Sequence, residues 1–148
     1  MASTLTPSTF NVKIIEEQVV KSNTIKNQTT FTINSVTNVD RRTVTCPTAS
    51  FVTLFNLNGL TPGAGTFPSS SLKYARISNL DDTNNLAITI SGSNGRISQE
   101  VTPKSTILIA SSNITSSIFA GTFGDDIQFV QAYAIGGDID VDYTIVNS

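Results

Sequence analysis

Apolar and polar residues alternate with a period of two along most of this chain. In "GGDIDVDYTIV", residues 136 to 146, Ile139, Val141, Tyr143 and Ile145 fall on one side, and Asp138, Asp140, Asp142 and Thr144 on the other. That is the pattern of a strand with one dry and one wet face. "LAITISG", residues 86 to 92, repeats it, with Leu86, Ile88 and Ile90 set against Ala87, Thr89 and Ser91. The same criterion predicts strands over 9–20, 29–36, 41–46, 50–56, 71–80, 95–101, 105–110 and 127–135, about ten in all. "IIEEQVV" is long enough for two helical turns, but the β-branched Ile14, Ile15, Val19 and Val20 favour a strand. "SSNITSSIFAG", residues 111 to 121, spaces Ile114 and Ile118 four apart and stays open between a helical turn and an irregular crossover. Between the strands, "SNTIKNQ", "DDTNN", "GSNG", "TPKS" and "FGDD" supply the Gly, Pro, Asn and Asp that reversals need. Strands of this length and spacing predict an all-β, antiparallel β-sandwich, jelly-roll-like, with little or no helix.

The 148 residues fit one domain, expected over 10–148, after an arm (1–9) that has no core pattern and either moves freely or contacts a neighbour. Residues 57 to 71, "LNGLTPGAGTFPSSS", read as a long loop bearing Leu60, Pro62 and Phe67. Its apolar residues either fold back over the end of the sandwich or insert into a neighbouring subunit. In "IQFVQAYAI" the large residues Ile127, Phe129 and Tyr133 suggest the dry face, which leaves Val130, Ala132 and Ala134 on the wet one. A strand apolar on both faces is central or covered by a neighbour. The candidate interface residues are therefore Leu60, Pro62, Phe67, Val130 and Ala132.

Composition narrows the chemistry. Charged residues are only 14%, and a surface of Ser, Thr and Asn suits strands better than solvated helices. A formal net charge of -2 provides no basic field for a phosphate backbone, so nucleic acid is not an expected partner. Arg41 and Arg42 read as a solvated strand start or a local ion pair. The single cysteine, Cys46, has no internal disulfide partner, and a nucleophilic thiolate would want a histidine or another cation beside it. The chain contains no histidine, so Cys46 reads as a small buried hydrophobe. The longest aliphatic run, "ILIA", is far short of the ~20 residues of a membrane helix, and "MASTLTPSTF" does not read as a secretory signal. The expectation is a protein that folds where it is made and has no membrane partner.

Candidate chemistry is sparse. Asp138, Asp140 and Asp142 stand ~6.5 to 7 Å apart along one strand face, too straight to converge on calcium, and are expected to deter pairing at a sheet edge. Asp81–Asp82 and Asp125–Asp126 could be read as acid and base for glycoside cleavage, but adjacent carboxylates at the mouth of a turn more often close it. "GLTPGAG" has no following Lys and is no phosphate loop. The sequons at Asn27 and Asn113 gain no meaning without a secretory signal. For sugar stacking the chain has no Trp and only Tyr74, Tyr133 and Tyr143, the last already on a dry face. No catalytic, cofactor-binding or metal-binding residues are expected, and no cofactor.

Residues 72 to 92, "LKYARISNLDDTNNLAITISG", resemble a pattern of small virion proteins of tailed bacteriophages, especially those of marine and cyanobacterial hosts. Its form, K-Y-x-R-I-x-N-L-D then D-x-T-N and an apolar strand, stands here as Lys73, Tyr74, Arg76, Ile77, Asn79, Leu80, Asp81, Asp82, Thr83 and Asn84. "INSVTNVDRRTVTCPT", "GAGTF", "VTPKSTILIASS" and the ending "DIDVDYTIVNS" resemble its flanking segments, so the similarity covers most of 30–148. Pro103-Lys104 departs from it, since the family more often turns on Gly there. The resemblance implies a non-enzymatic all-β subunit of a phage particle, assembled in the bacterial host cytoplasm. It would be a capsid decoration or cement protein that binds the major capsid protein on the outer shell and associates with copies of itself, as a trimer. The alternatives are a tail or fibre-attachment subunit and, from another class, a carbohydrate-binding module.

Overall fold

The computed structural model describes residues 8–63, 66–68, 72–92, 96–110 and 127–147. The segment 111–121, the pair Asp125–Asp126 and the side chains of Leu60, Pro62 and Phe67 lie outside the described residues. The elements are all strands: β1 (Ser8–Val20), β2 (Asn23–Val36), β3 (Asn38–Cys46), β4 (Phe51–Asn56), β5 (Asn58–Gly63), β6 (Thr66–Pro68), β7 (Leu72–Asn79), β8 (Asn85–Gly92), β9 (Arg96–Val101), β10 (Thr106–Ala110), β11 (Ile127–Ile135) and β12 (Ile139–Asn147). Each of the ten predicted strands is present. The segment read as one loop contributes two more, β5 and β6.

Two sheets pack face to face, one with the order β10-β7-β12-β3 and the other with the order β5-β6-β4-β11-β8-β9. Among the described residues the strand pairing is antiparallel apart from a parallel contact between β4 and β6, and an isolated parallel bridge joins Thr48 to Ala134. The pairs β3·β12, β4·β11, β7·β10 and β8·β9 are nested, outermost with outermost and innermost with innermost. Between the sheets lies one core, to which β7 and β12 contribute Ala75, Ile77, Ile139, Val141, Tyr143 and Ile145, and the facing sheet Leu54, Leu86, Ile88, Val130 and Ala132. Register slips where Val130 and Gln131 of β11 meet Phe55 and Thr53. This bulge turns both Leu54 and Phe55 inward, and the Phe55 ring reaches Tyr143 across the sandwich at 5.8 Å.

The inward face of β11 is opposite to the one its aromatic residues suggest. Val130 and Ala132 are 0% exposed and belong to the core, so they are not available to a neighbouring subunit. Phe129, Gln131 and Tyr133 take the outer face, half-buried. The reason is space and polarity: small residues suit the close approach of the two sheets, and Gln131 shares its face with both aromatic rings.

On β12 the predicted dry face is correct, and from Asp142 onward the other face is buried as well, while Asp140 stays exposed. Asp142, Thr144 and Val146 are buried because Arg76 reaches across Asp142 and Thr144 and the β1–β2 ribbon covers Val146. β12 lies between β7 and β3, so the Asp ladder guards no edge. Its members bond to neighbours instead: Thr45 Oγ1 donates to Asp140 at 2.7 Å, and Arg76 meets Asp142 at 2.5 Å.

β1 and β2 join neither sheet. They form a two-stranded ribbon, closed at Lys21-Ser22 with both residues at positive φ, 47° and 68°. That is the twist-matched two-residue hairpin turn. The half of the ribbon nearest the sandwich packs Val12, Ile33 and Val36, with Phe10 and Phe31, onto Tyr74 and Val146 of the outer sheet face. Ser8 and Thr9, expected in an N-terminal arm, are already part of β1.

Candidate functional site

The most structured polar surface is the corner where β7 leaves one sheet and β8 enters the other. Asn79 ends β7 with the same parity as Ala75 and Ile77, so its amide is carried into the interior, 1% exposed. Its Nδ2 donates to Asn84 O at 2.9 Å and to Val101 O at 3.0 Å, while its Oδ1 accepts from Asp81 N at 3.0 Å. One side chain thus ties the end of β7, the turn and the end of β9, and satisfies the Val101 carbonyl, which would otherwise be buried unpaired.

Asp81 closes the turn. Its Oδ1 accepts from Thr83 N at 2.7 Å, Thr83 Oγ1 at 3.2 Å and Asn84 N at 2.6 Å, an Asx turn. The backbone N–H of Asn84 first, and then that of Thr83, holds this carboxyl below the ordinary carboxylate value. Asn84 in turn packs against the reversal between β11 and β12. A Cβ on Gly136, where φ is +95°, would lie 2.9 Å from Asn84 Oδ1, and one on Gly137 would lie 2.7 Å from its Nδ2. A side chain at either glycine would have to displace the Asn84 amide, and at Gly136 it would also strain the backbone.

The neighbouring turn, Thr102 to Ser105, has Pro103 second, Lys104 third at φ 57° and a closing bond from Ser105 N to Thr102 O at 3.1 Å. These features define a type II turn, whose third position favours Gly. Lys104 takes the strained conformation and uses its length, donating from Nζ to Leu80 O at 2.5 Å and pairing with Asp82 at 2.8 Å.

Beside the corner opens a shallow cleft of about 720 Å³ whose walls include Asp81, Asp82, Asp138 and Asp140. Asp138 accepts from Thr48 N at 2.8 Å and Thr48 Oγ1 at 2.9 Å, and these bonds lower its pKa. A glycosidase acid needs a carboxyl raised toward neutral pH. Asp81 and Asp138 are shifted the other way; Asp81 accepts the bonds that close the turn, and Asp82 pairs with Lys104. Among the described residues, no group of three or more Asp, Glu or Cys side chains is arranged to hold a metal ion. No family model, curated protein or solved structure matches the chain.

The remaining candidates take structural places. Cys46 is 0% exposed, and burial pushes its thiol up, away from the reactive thiolate. Arg42 forms a local pair with Asp40 at 2.9 Å, and Arg41 lies 3.5 Å from Asp142. Tyr74 is no sugar platform, because its ring sits between Phe10 and Phe31 at 5.7 and 6.4 Å. Among the described residues, an aromatic pair that does face solvent is Phe51 with Tyr133, 4.9 Å apart on the outer face of the six-stranded sheet. Sequence reasoning passed over Asn79 as a joint. Its signal was there: a polar residue in step with two core positions of the same strand.

Proposed function

We propose that this chain is a non-enzymatic structural subunit of a tailed-phage particle, a decoration protein that binds the outer capsid surface and bridges major capsid subunits, together with copies of itself. The observation that carries the reading is the nested pairing β3·β12, β4·β11, β7·β10 and β8·β9. A long antiparallel hairpin rolled into two sheets is the plan of a jelly roll, an architecture used by viral capsid and lectin domains. The role of the residues behind the resemblance supports it too. Tyr74 seats the ribbon, Arg76 pairs Asp142, Asn79 ties the corner and Asp81 closes the turn. A pattern spent on scaffolding suits a family that shares a shape rather than a reaction.

The test is quantitative mass spectrometry of purified particles against the major capsid protein. Copy numbers comparable to that protein are expected. A few copies per particle would move the chain to the tail, and absence from particles would overturn the reading.

A second reading, a carbohydrate-binding module, has its own observation. Phe51, 64% exposed, and Tyr133 present rings beside Gln131, which donates to Thr53 Oγ1 at 3.3 Å. Glycan-array binding that is lost on Phe51→Ala and Tyr133→Ala would favour it.

A further inference from the structure

Among the described residues, β1 and β2 pair with each other and with no strand of either sheet, so every ladder bond of the ribbon is internal. What seats it is an apolar cluster of its own, in which Val12, Ile33 and Val36, with Phe10, Ile14 and Phe31 beside them, pack on Tyr74 of β7 and Val146 of β12. That cluster shares no residue with the core between the sheets, where β7 and β12 keep Ala75, Ile77, Tyr143 and Ile145 buried on their other face. Lifting the ribbon therefore leaves the pairing of both sheets and the inter-sheet core in place. The scale differs as well. Five buried side chains form the seat of the ribbon and seventeen the inter-sheet core, so with stabilisation roughly proportional to buried apolar area, freeing the ribbon costs a fraction of global unfolding.

The connection to β3 is built as a hinge. Thr37 is the single residue between β2 and β3, and its N–H donates to Asn147 O at 3.0 Å, which fixes the pivot to the end of β12. Two residues earlier Ser35 has φ 57°, a left-handed backbone that residues other than glycine adopt at a cost. A two-stranded ribbon without a packed face is marginal in water, so off the sheet its ladder opens and Ser35 is free to leave that conformation.

We propose that the β1–β2 ribbon is a hinged strap, which leaves the outer face of the four-stranded sheet as one unit about Ser35–Thr37 and uncovers Tyr74 and Val146 while the sandwich stays folded. Seated, the strap holds Tyr74 at 6% and Val146 at 0% exposure. Released, it exposes both together with Phe10 and Phe31, so its position sets how much apolar surface the molecule presents. Such sub-global openings follow cooperative units of structure, and this unit has its own core and its own ladder. The inference stands apart from the capsid reading and holds whatever the particle.

The experiment is native-state amide exchange of the full chain across sub-denaturing urea, for the wild type, Ile88→Val and Phe31→Ala. Ile88 belongs to the inter-sheet core, which stays intact in the released state, so Ile88→Val should lower the protection of the slowest amides of β8, β11 and β12 by about fivefold. The ribbon-base amides, residues 10–14 and 29–33, should open in the wild type at a lower free energy and with a smaller urea slope than those core amides. In Ile88→Val they should stay within about twofold of the wild type, and in Phe31→Ala they should fall together by about tenfold or more. Complete loss of ribbon protection in Phe31→Ala, with the core amides still protected, is the limit of the same result. Ribbon and core amides that share one opening free energy and urea slope, or that fall by the same factor in Ile88→Val, would overturn the inference, because the ribbon would then open only with the whole domain. Ribbon amides that fall one by one in Phe31→Ala would overturn it too, since that is fraying rather than release of a unit.

Discussion

Replacing Asn79 by Ala tests the corner directly. The substitution removes two donated bonds, to Asn84 O and Val101 O, and one accepted from Asp81 N. Each such bond is worth about 1 kcal/mol net, and a buried group left without a partner adds to the loss. Val101 is buried, while Asp81 and Asn84 are near enough to solvent for water to satisfy part of what they lose. The sum is about 3 kcal/mol. For a domain of this size that is a fall in melting temperature of roughly 6 to 12 °C. The assay is urea unfolding followed by circular dichroism with m held common, together with amide exchange at Asp81 and along β9. Asn79→Leu should be no better, since it restores volume without the bonds. A destabilisation under about 1 kcal/mol for both variants would refute the argument that this amide joins the two sheets.

Arg76→Met should cost about 2 kcal/mol by leaving the nearly buried Asp142 only its longer contacts with Arg41 and Thr43, and adding Asp142→Leu should recover most of it, as read by chemical denaturation. Lys104→Gly should raise stability by about 0.5 kcal/mol, because relief of the left-handed backbone, ~1 kcal/mol, outweighs an exposed ion pair; a loss instead would mean the bond to Leu80 O dominates. Asp81 and Asp138 have pKa values lowered on folding, so their contribution is complete above the unfolded value of about 3.9 and disappears as pH falls through the lower folded values. Melting temperature should therefore drop below about pH 4, with a shallower acid limb in Asp81→Asn and Asp138→Asn.

Much of the fold can be read directly from the sequence. Two-residue alternation locates the strands of both sheets, and a lone Cys46 in step with apolar neighbours reads as core, where it lies. Alternation is a local property of the chain, so it survives without knowledge of any partner strand. It determines which residues share a face, but not which face turns inward. That choice on β11 was made by the opposite sheet, whose close approach takes Val130 and Ala132 and turns Phe129 and Tyr133 out. Burial on the second face of β12 from Asp142 onward likewise depends on distant residues, the ion pair with Arg76 and the ribbon that covers Val146. Asn79 and Val101 are far apart in the chain, and their bond exists only because the β7–β8 corner and the end of β9 fold onto one another. The ribbon's separation from the sandwich has the same origin: β1 and β2 satisfy each other's backbone through a local turn, and only packing on Tyr74 and Val146 decided where the hairpin would rest. Pairing within a hairpin is decided by neighbours in sequence, whereas sheet order and inward faces are decided by contacts that close long loops.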